Sequence, residues 1–288
     1  MSDLPVPARR AVVVTGASSG IGRACARMLA QHGLRSFAGV RKEADAQGVR
    51  DEGVDGLEPV LLDVGDAESI AAAKAYVLER TGGALAGLVN NAGIVVAGPL
   101  ELLPLDDLRR QLEINVIGQI AVSQAFLPAL RAGGGRIAMM SSVGGKLVTP
   151  YMGPYCASKF ALEALSDSLR RELRPWSIHV GVIEPGVVKT PIWNKGKDTL
   201  GAWRARFADD PGAAALYADK VEGMSDKVGQ ADSGGVPPEA VGEAVVHCLT
   251  ARRPRVRYPV GLDAKMGVRI AAFVPDRIID WAAGRVFK

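Results

Sequence analysis

The sequence predicts an α/β fold built on a doubly wound parallel sheet, in a single domain spanning residues 1–288. Three observations predict it. Short, continuously apolar runs alternate with helical patterns up to about residue 190. Such runs suit strands covered on both faces, and helical connections are what parallel pairing requires. A chain of 288 residues, 48% hydrophobic and 23% charged, can bury one large core without staples, and neither a repeat nor a linker divides it. Right-handed crossovers then place helices on both faces.

Taken in order, Ala11–Thr15 reads as a buried strand, followed by a glycine turn and a helix from Ile21 to about Gln31, closed by Gly33. Ser36–Val40 is the second strand and Pro59–Asp63 the third. A helix over Asp66–Arg80 leads to the fourth strand, Gly87–Asn90. One long helix is expected near Asp106–Arg131, stopped by three glycines. Arg136–Ser141 is strand five and Ile178–Ile183 strand six. Between them a helix runs over Tyr155–Arg174, where Ala161, Leu165, Leu169 and Leu173 recur every four residues and Pro175 ends the pattern. From Val187 to Val236 no convincing strand shows, and so long a segment in a compact domain points to function. A helix from Pro238 to about Thr250 and a strand near Val256–Tyr258 follow, then a C-terminal extension over 259–288.

Composition excludes several classes of function. The net charge of +4 is modest and its cations are scattered, so no nucleic-acid partner is expected. His32, His179 and His247 are too dispersed for a metal site. Cys25, Cys156 and Cys248 are odd in number and far apart, which suits a reducing compartment. The chain shows no signal peptide and no apolar run of membrane-spanning length, so no integral membrane segment and a cytoplasmic location are expected.

The chemistry concentrates in a few motifs. Thr15-Gly-Ala-Ser-Ser-Gly-Ile-Gly22 lies between the first strand and first helix. Glycines there let the backbone approach a pyrophosphate, and a helix N-terminus presents free N–H groups to it. Tyr155 and Lys159, four apart, lie on one helix face. A free tyrosine titrates near ~10, and a neighbouring ammonium is expected to lower that value enough for acid/base work.

Together these motifs, with Asn90-Asn-Ala-Gly93, Asp63-Val64, Asn115, Ser142 and Pro185-Gly186, resemble the short-chain dehydrogenase/reductase family in order and spacing over residues 11 to about 190. The resemblance implies a seven-stranded Rossmann-type sheet and hydride transfer between a nicotinamide cofactor and a carbonyl or alcohol substrate. It implies a catalytic tetrad: Tyr155 as the acid/base, Lys159 beside it and on the nicotinamide ribose, Ser142 on the substrate oxygen, and Asn115 supporting a water that links Lys159 to solvent. Ser141 would point to the opposite side of its strand. It implies a cofactor site of Gly16, Ser18, Ser19, Gly20, Ile21 and Gly22, with Asp63 and Val64 near the adenine, Asn91, Ala92 and Gly93 after strand four, and Pro185, Gly186, Val188 and Thr190 near the nicotinamide. At the end of strand two the family's ribose-binding acid is replaced by Val40, followed by Arg41. That favours NADP, with NAD the alternative.

Tyr155–Ala164, Ser141–Gly145 and the tail from Tyr258 resemble the 17-beta-hydroxysteroid and retinol dehydrogenase branch, which implies a lipophilic substrate. A homodimer or homotetramer is expected through the helices Asp106–Arg131 and Tyr155–Arg174. The segment 187–236 is expected to be a substrate lid, with Ile192, Trp193, Leu200, Trp203, Phe207, Leu216, Tyr217 and Met224 as an apolar wall and Gly196, Gly201 and Gly212 as hinges. A subdomain that buries those residues against its own helices is the alternative. A sugar-nucleotide epimerase and a non-catalytic cofactor-binding regulator share the scaffold; a different glycine turn argues against the first, and the complete tetrad against the second.

Overall fold

The computed structural model describes residues 10–190 and 192–286, the side chains of 192–200, 224–233 and 286 excepted. Seven strands form one parallel sheet: β1 (Ala11–Val14), β2 (Arg35–Val40), β3 (Leu57–Leu61), β4 (Gly87–Asn90), β5 (Arg136–Met140), β6 (His179–Pro185) and β7 (Arg257–Val260). Their order is β3-β2-β1-β4-β5-β6-β7. All six pairings are parallel. The order reverses between β1 and β4, the switch point at which ligands bind in doubly wound sheets.

Alternation along β1 shows how the sheet divides the core. Val12 and Val14 pack with Cys25, Ala26 and Leu29 of α1 (Gly20–Gln31) and with Val241 and Val245 of α9 (Pro238–Thr250). Ala11 and Val13 face the other side, with Ile70 and Val77 of α3 (Ala67–Thr81), Phe126 of α5 (Gly118–Gly133) and Leu162 of α6 (Gly153–Glu172). Strands buried on both faces have no polar side to show, hence their unbroken apolar sequence. Asp66 caps α3, its side chain accepting from the backbone N–H groups of Glu68 and Ser69.

Several boundaries differ from the sequence reading. The third strand lies two residues earlier, so Asp63 and Val64 sit beyond it on the loop that enters the site. α2 (Glu43–Arg50) was not foreseen, because its eight residues bury only Ala46 and Val49. The long helix near Asp106–Arg131 is three pieces: α4 (Leu105–Leu112), a π-helical turn (Glu113–Ile117) and α5. Segment 187–236 contains α7 (Ile192–Asp209) and α8 (Pro211–Gly234), and the tail forms α10 (Leu262–Phe273) and α11 (Asp276–Val286). Among the described residues no helix is long and apolar enough to cross a membrane.

Candidate active site

One cavity of roughly 510 Å³ opens over the carboxyl ends of β1, β2, β4, β5 and β6, and all the predicted catalytic and cofactor residues line it. On one side stands the glycine turn. Gly16 and Gly20 have φ of +66° and +56°, a region that side-chain-bearing residues enter at a cost. A Cβ on Gly22 would lie 2.3 Å from the Gly16 carbonyl oxygen, so only glycine lets α1 start this close to β1. Ser19 begins α1 without a side-chain cap, and the first turn carries no acidic residue. Its N–H groups are left to the cavity, as an anion requires. β2 ends at Val40 with Arg41 next, and both line the cavity where a carboxylate would otherwise stand. These features fit a dinucleotide carrying an additional phosphate on the adenosine ribose.

The turn after β4 is tied to the turn after β1. Thr15 Oγ1 accepts from the backbone N–H of Asn91 and of Ala92, both at 2.9 Å. Asn91 Nδ2 returns two bonds, to the carbonyls of Thr15 and Gly16. The buried Gln119 amide donates to the Ala92 carbonyl. Asn115 arrives on the π-helical turn, a local widening common at functional sites. Its Oδ1 accepts from Ile94 N at 2.8 Å, and its Nδ2 donates to the Ile94 carbonyl and to Ser158 Oγ. Here Asn115 holds the loop that leads out of β4.

On the facing side α6 brings Tyr155 and Lys159 to the cavity. Lys159 Nζ is buried, donates to the Met140 carbonyl at 2.7 Å and lies 5.7 Å from the centre of the Tyr155 ring. Burial lowers its pKa to about 8, which the nearby Glu163 carboxylate opposes. Tyr155 differs from expectation: burial raises its pKa, and the group favouring its phenolate is the Ser142 hydroxyl. The ammonium does not lead because Lys159 is turned to the β5 carbonyl and is itself desolvated. Ser142 Oγ accepts from Gly144 N at 3.1 Å and is 3.4 Å from the Pro185 carbonyl that it donates to. The buried Ser141 Oγ has no hydrogen-bond partner.

The Pro185–Gly186 turn is fixed from a quarter that sequence reasoning missed. Asp263, in the first turn of α10, accepts from Val187 N at 2.6 Å. A Cβ on Gly186 would stand 2.0 Å from that carboxylate, so the close contact requires glycine. An acidic residue opening a helix was the available signal. Gly16-Ala-Ser-Ser-Gly20 also satisfies Gly-x-Ser-x-Gly, the hydrolase elbow pattern. Ser18 is exposed, and none of His32, His179 and His247 lines the cavity to serve as its base.

The remaining wall is apolar, with Ile94, Val95, Val143, Leu147, Pro150 and Met152. Among the described side chains of segment 187–236, none of Trp203, Phe207, Leu216 and Tyr217 lines the cavity as the expected aromatic wall. Trp203 and Phe207 pack with Ala213, Val221 and Leu103 in a separate cluster, and Leu216 is exposed. Trp203 Nε1 donates to the Ala97 carbonyl. These aromatics are buried between the two helices and the 96–108 stretch of the body. Gly201 lies within α7 and Gly212 in the first turn of α8, where helical hydrogen bonding restrains a hinge. Ile192, Trp193, Gly196, Leu200 and Met224 lie outside the described side chains. No group of three or more metal-binding side chains occurs among the described residues.

The sequence model of the short chain dehydrogenase family matches residues 10–201. The chain belongs to that family. It is an oxidoreductase of the nicotinamide-dependent type, and the matched stretch contains the glycine turn, Tyr155 and Lys159. Human retinol dehydrogenase 16 is 39% identical over 280 residues, covering 93% of this chain and 86% of that protein. An NADPH-dependent 3-dehydrocapnine reductase of Ornithobacterium rhinotracheale is 34% identical, covering 94% and 95%. Among solved structures, a short-chain dehydrogenase from Streptomyces avermitilis superposes with a TM-score of 0.77 at 28% identity, covering 96% of this chain and 97% of that one.

Proposed function

We propose that this short chain dehydrogenase interconverts a bulky lipophilic carbonyl compound and its alcohol with NADP, using Tyr155 as the acid/base. The observation that carries the reading is the placing of Tyr155, Ser142 and Lys159 between the glycine turn and an apolar wall within one cavity. The names of the similar proteins point the same way, one an NADPH-dependent reductase and one a dehydrogenase of retinol.

When bound, the nicotinamide supplies the hydride for reduction or accepts it in oxidation. The chain's own residues do the rest. Ser142 donates a hydrogen bond to the substrate oxygen, keeping its own proton, and holds that oxygen near Tyr155. The Tyr155 hydroxyl gives its proton to that oxygen as the carbinol forms, and takes it back in the reverse direction. The Lys159 ammonium steadies the phenolate left behind and holds the ribose hydroxyls. Asn115, through the Ile94 loop and Ser158, keeps the floor of the cavity in place for a water to reach Lys159. Gly16, Ser18, Ser19, Gly20, Ile21 and Gly22 wrap the pyrophosphate; Arg41 grips the 2′-phosphate. Asp63 and Val64 border the adenine. Asn91, Ala92, Gly93, Pro185, Gly186, Val188 and Thr190 border the nicotinamide end.

Segment 187–236 serves as the lid. Its support is the neck: Val188 pairs with Val236, and Val236 N donates to the Val187 carbonyl while Lys189 N donates to that of Val236, both at 3.0 Å. A two-helix excursion closed at its base can swing as one body. A homodimer or homotetramer is supported by exposed apolar side chains on the two helices, Ile117 on one and Phe160 and Leu165 on the other. The free thiols Cys25, Cys156 and Cys248 suit the cytoplasm.

The test is a panel of ketones, aldehydes and alcohols of graded size, followed by cofactor absorbance with NADPH and NADH. Turnover of the bulky apolar members with NADPH supports the reading; activity confined to small polar substrates, or an NADH preference, refutes it. Light scattering reads the oligomer, and a monomer at micromolar concentration removes that part.

A further inference from the structure

Beneath the catalytic helix lies a buried charge cluster that the reaction as described does not use. Glu184 is the last residue but one of β6, directly before Pro185–Gly186, and is wholly buried, and Glu163 stands one helical turn after Lys159 on α6 and is 5% exposed. Two cations reach both. Lys146 Nζ is 2.7 Å from Glu163 Oε2 and 3.7 Å from Glu184 Oε1. Arg257, on β7, is 3.0 Å from Glu163 Oε2 and 3.3 Å from Glu184 Oε1. Part of the Arg257 charge is taken by Asp167, at 3.2 Å, which Arg170 and Arg171 also approach.

The hydrogen bonding of this cluster is incomplete in one place. Glu163 Oε1 and both Glu184 oxygens are buried and accept no hydrogen bond. Ser141 Oγ, also without a partner, flanks the same spot: a Cβ on Gly145 would meet it at 2.7 Å and Glu163 Cγ at 3.1 Å. Buried carboxylate oxygens without donors are costly, and two adjacent like charges in the interior more so. A proton between the two acids removes both penalties at once, since a protonated carboxyl becomes a donor.

We propose that Glu163 and Glu184 hold one proton between them, and that the single negative charge left on the pair acts as a positioning element, keeping Lys159 in its charged form beside Tyr155. The cluster joins the parts that must stay in register. Lys146 follows the Val143–Gly145 turn that Ser142 begins, Glu184 precedes the turn beneath the nicotinamide, and Glu163 shares α6 with Tyr155 and Lys159. The directions of titration agree. Burial, then the charge of Glu163, raises Glu184 above the usual carboxylate range against the pull of Lys146 and Arg257. Glu163 is the carboxylate that resists the loss of charge at Lys159.

The inference rests on the Tyr155–Lys159 chemistry proposed above, so the experiment has one arm that needs no turnover. Infrared spectra at neutral pH should show a protonated carboxyl band in the wild-type protein. Glu163→Gln and Glu184→Gln should each abolish it, because either acid left alone with two cations ionises. In the kinetic arm, Glu163→Gln moves the remaining charge off α6 and onto Glu184 of β6, and should lower by about one unit the pH at which carbonyl reduction falls off. Glu163→Asp should restore the wild-type profile. A wild-type protein with no such band, or a band that survives Glu163→Gln, would overturn the shared proton. A reduction profile unmoved by Glu163→Gln, with only the melting temperature lowered, would reduce the cluster to a brace between α6 and the sheet.

Discussion

The glycine turn and the excursion after Gly186 border the same cavity, yet they are held by different means. The turn is tied into the sheet by short bonds between buried or half-buried groups, with Thr15 and Asn91 locking two strand ends together. Among the described residues, the excursion meets the body at a backbone neck, through the apolar cluster around Trp203 and Leu103, and by three polar ties, Trp203 to the Ala97 carbonyl, Tyr217 to Glu101 and Arg206 to Asp107. Within the excursion, the Arg204–Glu222 pair is exposed on both sides and worth little against solvent. A cofactor shared by many reactions can be met by a rigid cradle, whereas a substrate must enter and leave. On the proposed reading, the first half of the chain is preorganised and the second half gates.

Substitutions on either side should separate these two duties. Tyr155→Phe should cut turnover by about 10²–10⁴-fold while cofactor binding holds, because the ring keeps its packing and loses only the proton. A variant that retains a tenth of the rate with chemistry limiting would falsify the acid/base assignment. Trp203→Ala removes the anchor of the excursion, at a cost of about 3–5 kcal/mol for a buried tryptophan. Hydrogen exchange should then quicken across α7 and α8 and leave β1, β4 and β5 unchanged. Uniform quickening through the sheet would mean that the two regions unfold as one.

Arg41→Ala probes the cradle. A guanidinium–phosphate bond contributes about 1.5–3 kcal/mol, so NADPH affinity should fall by tenfold or more while NADH affinity barely moves. Equal losses for both cofactors would remove Arg41 from the phosphate. The smallest effect concerns pH. Burial lowers Lys159 to about 8, so its ammonium is present below that pH and lost above it. Carbonyl reduction generates a phenolate that needs that ammonium, and kcat/KM for reduction should fall as pH rises through this value. A profile that stays level to pH ~10, where a free tyrosine titrates, would contradict the role of Lys159.

The same contrast explains what was legible in the sequence. The strand runs, the glycine turn and the Tyr155–Lys159 spacing are local patterns, and residues chosen from them converge on one cavity. Helical periodicity could not show the π-helical turn that carries Asn115, since Ile114, Val116, Ile117, Ile120 and Val122 crowd together there and mask the change of face that one extra residue makes. The excursion misled in another way. Trp203 and Phe207 read as a pocket wall because composition records that aromatics must be buried, not what buries them. Asp263 and Glu184 act through partners far away in sequence, 76 residues apart in the case of Val187 and Asp263. Only the fold could bring those together.

Deuterium transfer tests the central claim most directly. With NADPH deuterated on the transferable face of the nicotinamide and a bulky lipophilic ketone, the account predicts an alcohol product carrying deuterium on its carbinol carbon. It predicts that the same transfer slows by about 10²–10⁴-fold in Tyr155→Phe loaded with the same cofactor. Tight NADPH binding with no deuterium transferred to any lipophilic carbonyl, or transfer undiminished in Tyr155→Phe, would contradict it.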